Sequence, residues 1–189
     1  MIIKTISTHF DSKSVIVDNE ISNDISVSFG DWKYEEGNII CCAVLYENKI
    51  ICILKEKEDS EESYKEELKK LLDKFVVMYA FNKNMEYGNF KGFLKKDYNI
   101  QEIKAFKGKG KSKEWFFQEL LKDKIINEIP FDPLEDNSKE VLNCYEKEDY
   151  NSIIQHNIAD VIKQYWILKN RDYFIDKYKE RINKDGWFE

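Results

Sequence analysis

The sequence predicts an α/β fold: a central mixed sheet of about five strands, flanked by helices. Three observations predict it. Residues 14–17 and 75–81 (SVIV and FVVMYAF) are apolar, partly β-branched runs of strand length. Residues 39–46 and 49–54 are strand-like and are joined only by Glu47-Asn48, the pattern of a hairpin. Apolar residues at helical spacing then dominate the C-terminal part of the chain. Strands and helices of this kind pack as layers around one core.

Taken in order, the first strand covers residues 14–17 and ends at Asp18 and Glu20. A short extension at 25–29 and a turn-rich link at 30–38 follow. The hairpin comes next, so the first three strands form an antiparallel meander. A helix then starts after Asp59, the expected N-cap, with Glu62 at its third position. Tyr64, Leu68, Leu71, Leu72 and Phe75 give it one apolar face. The 75–81 strand joins the sheet after that helix. Residues 87–98 have helical character despite Gly88 and Gly92, and 113–124 read as a helix. Pro130 and Pro133 interrupt the chain, and a helix resumes at 138–145. Residues 151–168 form a strong helix, with Ile154, Ile158, Val161, Ile162, Tyr165 and Leu168 on its apolar side. A last helix at about 170–183 packs on the rest. With no internal repeat and 189 residues, one domain over 1–189 is expected.

Composition narrows the function. Charged residues make up 35% and hydrophobic ones 42%, a well-solvated globular profile. The net charge of -6 argues against nucleic-acid binding through a general basic surface, and leaves room for a local basic patch. Cys41, Cys42, Cys52 and Cys144 lack zinc-ligand spacing, and the first three lie in strand-like runs, as buried reduced thiols do. The N-terminus MIIKTISTHF is too short and polar for a signal peptide, and no apolar stretch is long enough to span a bilayer. The expectation is a cytoplasmic protein with no membrane contact.

Three segments carry acids in positions that chemistry can use. Asp18 and Glu20 are two apart in a strand, so they point the same way and repel. A cation between them is one reason to keep such a pair. Asn82 and Glu86 follow the 75–81 strand, and sites in open α/β sheets form where strands end. His156 and Asp160 are four apart on a helix and share a face. Asp18, Glu20, Glu86 and Asp160 are hard oxygen ligands of the kind that suit Mg²⁺ or Mn²⁺. Two such ions support in-line displacement at phosphorus, with His156 on the attacking water. Each segment also has a plainer reading, as a solvated turn or a surface i,i+4 pair. The order of all three favours a shared site.

Lysines punctuate KAFKGKGKSKEWFF. Lys107, Lys109, Lys111 and Lys113 can neutralise phosphates, and neighbouring aromatics can stack bases. The alternative is a solvated loop leading into a helix, with Phe116 and Phe117 in the core.

These motifs resemble those of 3′→5′ exonucleases of the ribonuclease H-like superfamily, the group named for four acidic residues. VIVDNE matches a strand-D-x-E first motif. NKNME resembles the second motif, with Met85 in place of Phe and Glu86 in place of Asp. HNIAD has the spacing of the Tyr form of the third motif and the residue of the His form. The stretch YEKEDYNSIIQHNIADVIKQ is similar to the third-motif helix of exonuclease domains related to family-B DNA polymerases. The resemblance covers residues 14 to about 168. It implies a metal-dependent 3′→5′ exonuclease acting on DNA or RNA, most naturally at a single-stranded 3′ end, beside a replication or repair protein. Asp18, Glu20, Glu86 and Asp160 would hold two Mg²⁺ or Mn²⁺ ions. Asn82 would contact the terminal nucleotide or fix the loop. The departures at Glu86 and His156 leave a second class open: a module with a decayed metal site that binds nucleic acid or a partner. A helix-rich interaction protein with scattered acids is the third.

Overall fold

A computed structural model describes residues 1–22, 36–104, 112–135, 137 and 139–185. The elements are β1 (Ile2–Ile21), β2 (Ile39–Leu54), α1 (Glu61–Leu72), β3 (Met78–Ala80), α2 (Lys83–Leu94), β4 (Ile100–Glu102), α3 (Lys113–Lys122), α4 (Glu140–Glu146), α5 (Tyr150–Lys169) and α6 (Arg171–Asp185). The sheet order is β2-β1-β3-β4. β1 runs antiparallel to β2 and parallel to β3, and β3 runs parallel to β4, so the sheet is mixed.

The described residues thus contain four strands where about five were expected. The reason lies in β2, which holds both predicted hairpin arms. Glu47 takes φ 51°, and the Lys55 N–H donates to the Ile40 carbonyl at 2.8 Å. Residues that far apart in an extended strand meet only if it doubles back. β1 begins far earlier than the predicted residue 14 and serves both arms. Residues 2–7 pair with 54–49 and residues 12–21 with 47–39, with register shifts between. The expected extension at 25–29 lies outside the described residues.

The 75–81 run keeps only three residues in the sheet. Lys74 and Phe75 still donate back into the end of α1, and Val76 is exposed. The α1 cap also differs from expectation. Ser60, not Asp59, accepts the Ser63 N–H, because Asp59 is engaged by the chain's N-terminal ammonium and the Glu56 N–H. α5 begins at Tyr150, where Asp149 accepts the Ser152 N–H.

Helices cover the sheet on both faces. Val17, Val44, Met78 and Ala80 pack with Tyr64, Leu68 and Phe90 of α1 and α2. Ile16, Leu45 and Cys52 pack with Phe116, Phe117, Ile153, Ile158 and Phe174 of α3, α5 and α6. β1 is therefore buried on both faces from Ile16 to Glu20. Strand alternation turns Ile16, Asp18 and Glu20 toward α5 and sends Asn19 the other way, where it accepts from Asn89 of α2 at 2.9 Å. α5 is enclosed on most of its circumference, which makes its polar residues interior ones.

Candidate metal centre

The end of β1 delivers Asp18 and Glu20 into this interior, with Asp18 5% and Glu20 8% exposed. Asp18 is held by two amides of α5. Asn157 Nδ2 donates to Asp18 Oδ2 at 2.7 Å, and Gln164 Nε2 donates to Asp18 Oδ1. Gln164 Oε1 in turn accepts the Phe81 N–H at 3.0 Å, just past β3. One side chain thus ties α5 to two strand ends. Asn157, Asp160 and Gln164 recur at helical spacing on one face, which is the sequence signal that could have found them.

Asp160 meets a lysine that sequence reasoning placed elsewhere. Lys113 was expected in a surface strip steering nucleic acid. It is the first residue of α3, and its ammonium contacts Asp160 Oδ2 and lies 3.9 Å from Asp18 Oδ1. Ser112 caps this helix by accepting the Trp115 N–H at 3.2 Å, which fixes where Lys113 leaves the backbone. Lys107, Lys109 and Lys111 lie outside the described residues.

Glu86 sits in the first turn of α2 and is 1% exposed. Its Oε2 is buried without a hydrogen-bond partner. Asn82 precedes the same helix, makes no side-chain cap bond and is half-buried. Its carbonyl accepts the Glu86 N–H at 3.2 Å, and no described side-chain contact ties it to the acids.

His156 is buried, with Nδ1 2.9 Å from Asp132 Oδ1. Its Nε2 lies 3.6 Å from Glu20 Oε1 and 3.9 Å from Asp160 Oδ2. Asp132 Oδ2 faces Lys163 at 3.4 Å, one helical turn past Asp160. Asp132 stands between two prolines in a segment with no periodicity, so the sequence offered no signal for it. Beyond it lies a cavity of about 420 Å³, lined in part by Phe117, Phe131, Asp132 and Lys163.

The electrostatics follow from burial. Burial pushes Asp18 up to about 6, against the pull of Lys113. Burial first, then the charge of Asp18, holds Glu20 and Glu86 well above the usual carboxylate range. Burial alone would lower Lys113, but Asp160 and Asp18 more than offset it and raise it. Removing acids from water in this way is costly unless a cation joins them. The donor set fits one. Glu86 Oε2, Asp160 Oδ1 and His156 Nε2 are all buried without a hydrogen bond. Glu20, His156 and Asp160 present ligand atoms within 4.8 Å of one another, a group that could hold a metal ion.

Fold and cluster together define an α/β protein that gathers acids from β1 and α5, with a histidine, into one buried group, while Glu86 of α2 acts on Glu20 electrostatically. No family model matches the chain, and no curated protein does. Among solved structures it is similar to the family B DNA polymerase from the hyperthermophilic archaeon Pyrobaculum calidifontis, with a TM-score of 0.52 and 11% identity. The match covers 87% of this chain and 24% of the polymerase chain, so this chain spans about a quarter of that protein's length. At that identity the likeness is one of fold. No described helix is long and apolar enough to cross a membrane.

Proposed function

We propose that this chain is a metal-dependent phosphodiester hydrolase with a ribonuclease H-like fold, acting as a 3′→5′ exonuclease on DNA or RNA. The observation that carries the reading is the convergence of Glu20 and Asp160 on His156, from a strand and a helix more than a hundred residues apart, with Asp18 joined to Asp160 through Lys113. The motif order of the sequence and the likeness of fold to a family B DNA polymerase both support it.

When bound, divalent ions supply positive charge that offsets the phosphate and eases ionisation of the attacking water. The chain's own residues do the rest. Asn157 and Gln164 lock Asp18 in one orientation. Lys113 sets an ammonium between Asp160 and Asp18, where it can hold a phosphate oxygen. A second ion, which the sequence resemblance implies, would have to displace that ammonium. The lysines at 107, 109 and 111 steer the strand toward the site in this proposal.

The test is nucleotide release from a labelled single strand with Mg²⁺ or Mn²⁺. Wild type should release nucleotides from the 3′ end and Asp18→Asn should not. Equal rates in both remove the exonuclease reading.

One observation favours a second reading. Lys113 already neutralises part of the cluster, so the fold can persist without an ion as a module that binds nucleic acid or a partner. Calorimetric titration with Mn²⁺ separates the two: no uptake at millimolar ion supports the module.

A further inference from the structure

We propose that His156 is a metal ligand through Nε2, held in the required tautomer by Asp132, and that the centre it completes with Glu20 and Asp160 prefers a first-row transition ion such as Mn²⁺ to Mg²⁺. The inference rests on the metal site proposed above and replaces the water-orienting role expected for His156.

The tautomer follows from Asp132. Its carboxylate lies 2.9 Å from Nδ1, and a carboxylate accepts, so Nδ1 carries the proton and Nε2 presents a lone pair. Asp132 is itself well fixed. Its Oδ1 also accepts the Leu134 N–H at 2.9 Å, and Pro130 and Pro133 restrict the backbone on either side. Lys163 stands 3.4 Å from its other oxygen.

The Nε2 lone pair points inward. His156 is 1% exposed, and Nε2 makes no hydrogen bond. A buried polar atom of this kind calls for a partner. A proton on Nε2 would not supply one, because Glu20 at 3.6 Å and Asp160 at 3.9 Å are beyond hydrogen-bond reach. Those distances suit coordination better. Adjacent ligands on an ion with bonds of about 2.1–2.2 Å stand roughly 3.0–3.6 Å apart, so a small closure of the three side chains brings them into range.

The nitrogen decides the preference. Mg²⁺ takes oxygen ligands and dehydrates reluctantly, while first-row transition ions accept an imidazole nitrogen, Mn²⁺ the least strongly among them. Asp132 then plays the outer carboxylate that fixes the ring orientation of a ligating histidine. The four acids, read from sequence as an all-oxygen set, become a mixed oxygen and nitrogen set at Glu20, His156 and Asp160.

Pulsed electron paramagnetic resonance of Mn²⁺ bound to the full chain tests this. The wild type should show nitrogen hyperfine coupling, and His156→Gln should lose it. The assignment is clean, since the chain has two histidines and the other, His9, is exposed against Glu128. Asp132→Asn, which preserves the shape of the side chain, should weaken Mn²⁺ binding about 10- to 100-fold. Mn²⁺ should bind about tenfold or more tighter than Mg²⁺, and the gap should close in His156→Gln. Absence of nitrogen coupling in the wild type, or its survival in His156→Gln, overturns the inference. Nucleotide release without nitrogen coupling overturns it and leaves the exonuclease reading intact. Nitrogen coupling without nucleotide release supports it and sinks the exonuclease instead.

Discussion

The ammonium of Lys113 rests against the carboxylate of Asp160, joining the start of α3 to the middle of α5. It also faces Asp18 at 3.9 Å, so one lysine serves as an internal cation between acids from different elements. An acid pair that would otherwise repel is thereby kept folded.

Removing that ammonium should expose the repulsion. Lys113→Gln is expected to destabilise the protein by about 3 kcal/mol, since breaking a largely buried pair leaves an uncompensated charge. Mn²⁺ should restore much of the loss. Thermal melts of both proteins with and without the ion check this, and a variant as stable as wild type would show that Lys113 is not needed as a cation.

Stability should depend on pH in an inverted sense for acids. Asp18 is raised from 3.8 to about 6, and Glu20 and Glu86 are also raised. The folded state therefore binds more protons than the unfolded one in that window. Their contribution is fully present below the unfolded values and is lost as pH rises through the folded ones. Metal binding reverses the preference, releases protons and tightens with rising pH. Urea denaturation between pH 4.5 and 7, with and without Mn²⁺, reads both effects. A metal-free stability that climbs with pH across this range would contradict the assignment.

Gln164 should matter for stability out of proportion to its chemistry. Gln164→Leu strands the Phe81 N–H and removes a donor from Asp18. The expected cost is about 3 kcal/mol in chemical denaturation, because buried polar groups lose their partners. A cost near zero would mean that these bonds are replaced.

The acids should fail as one unit in catalysis. Asp18→Asn and Asp160→Asn are each expected to lower nucleotide release by about a thousandfold, and the double variant by little more. Rates measured under single-turnover conditions give the comparison. Multiplying losses would place the two acids in separate roles.

The sequence by itself determined the mixed α/β class, the run of helices and which neighbouring acids share a face. Those features follow from local periodicity: a two-residue repeat turns Asp18 and Glu20 to one side, and a four-residue spacing does the same for His156 and Asp160. Strand number was less legible. Whether two arms joined at Glu47-Asn48 count as one ladder depends on β1 pairing along both, which is a long-range choice. The cation between the acids was decided only by the tertiary structure. Lys113 looked like one more lysine in a basic strip, and its place follows from how α3 docks on α5. Asp132 was hidden for the same reason. An irregular segment has no period to read, so only packing could bring its carboxylate to the ring of His156.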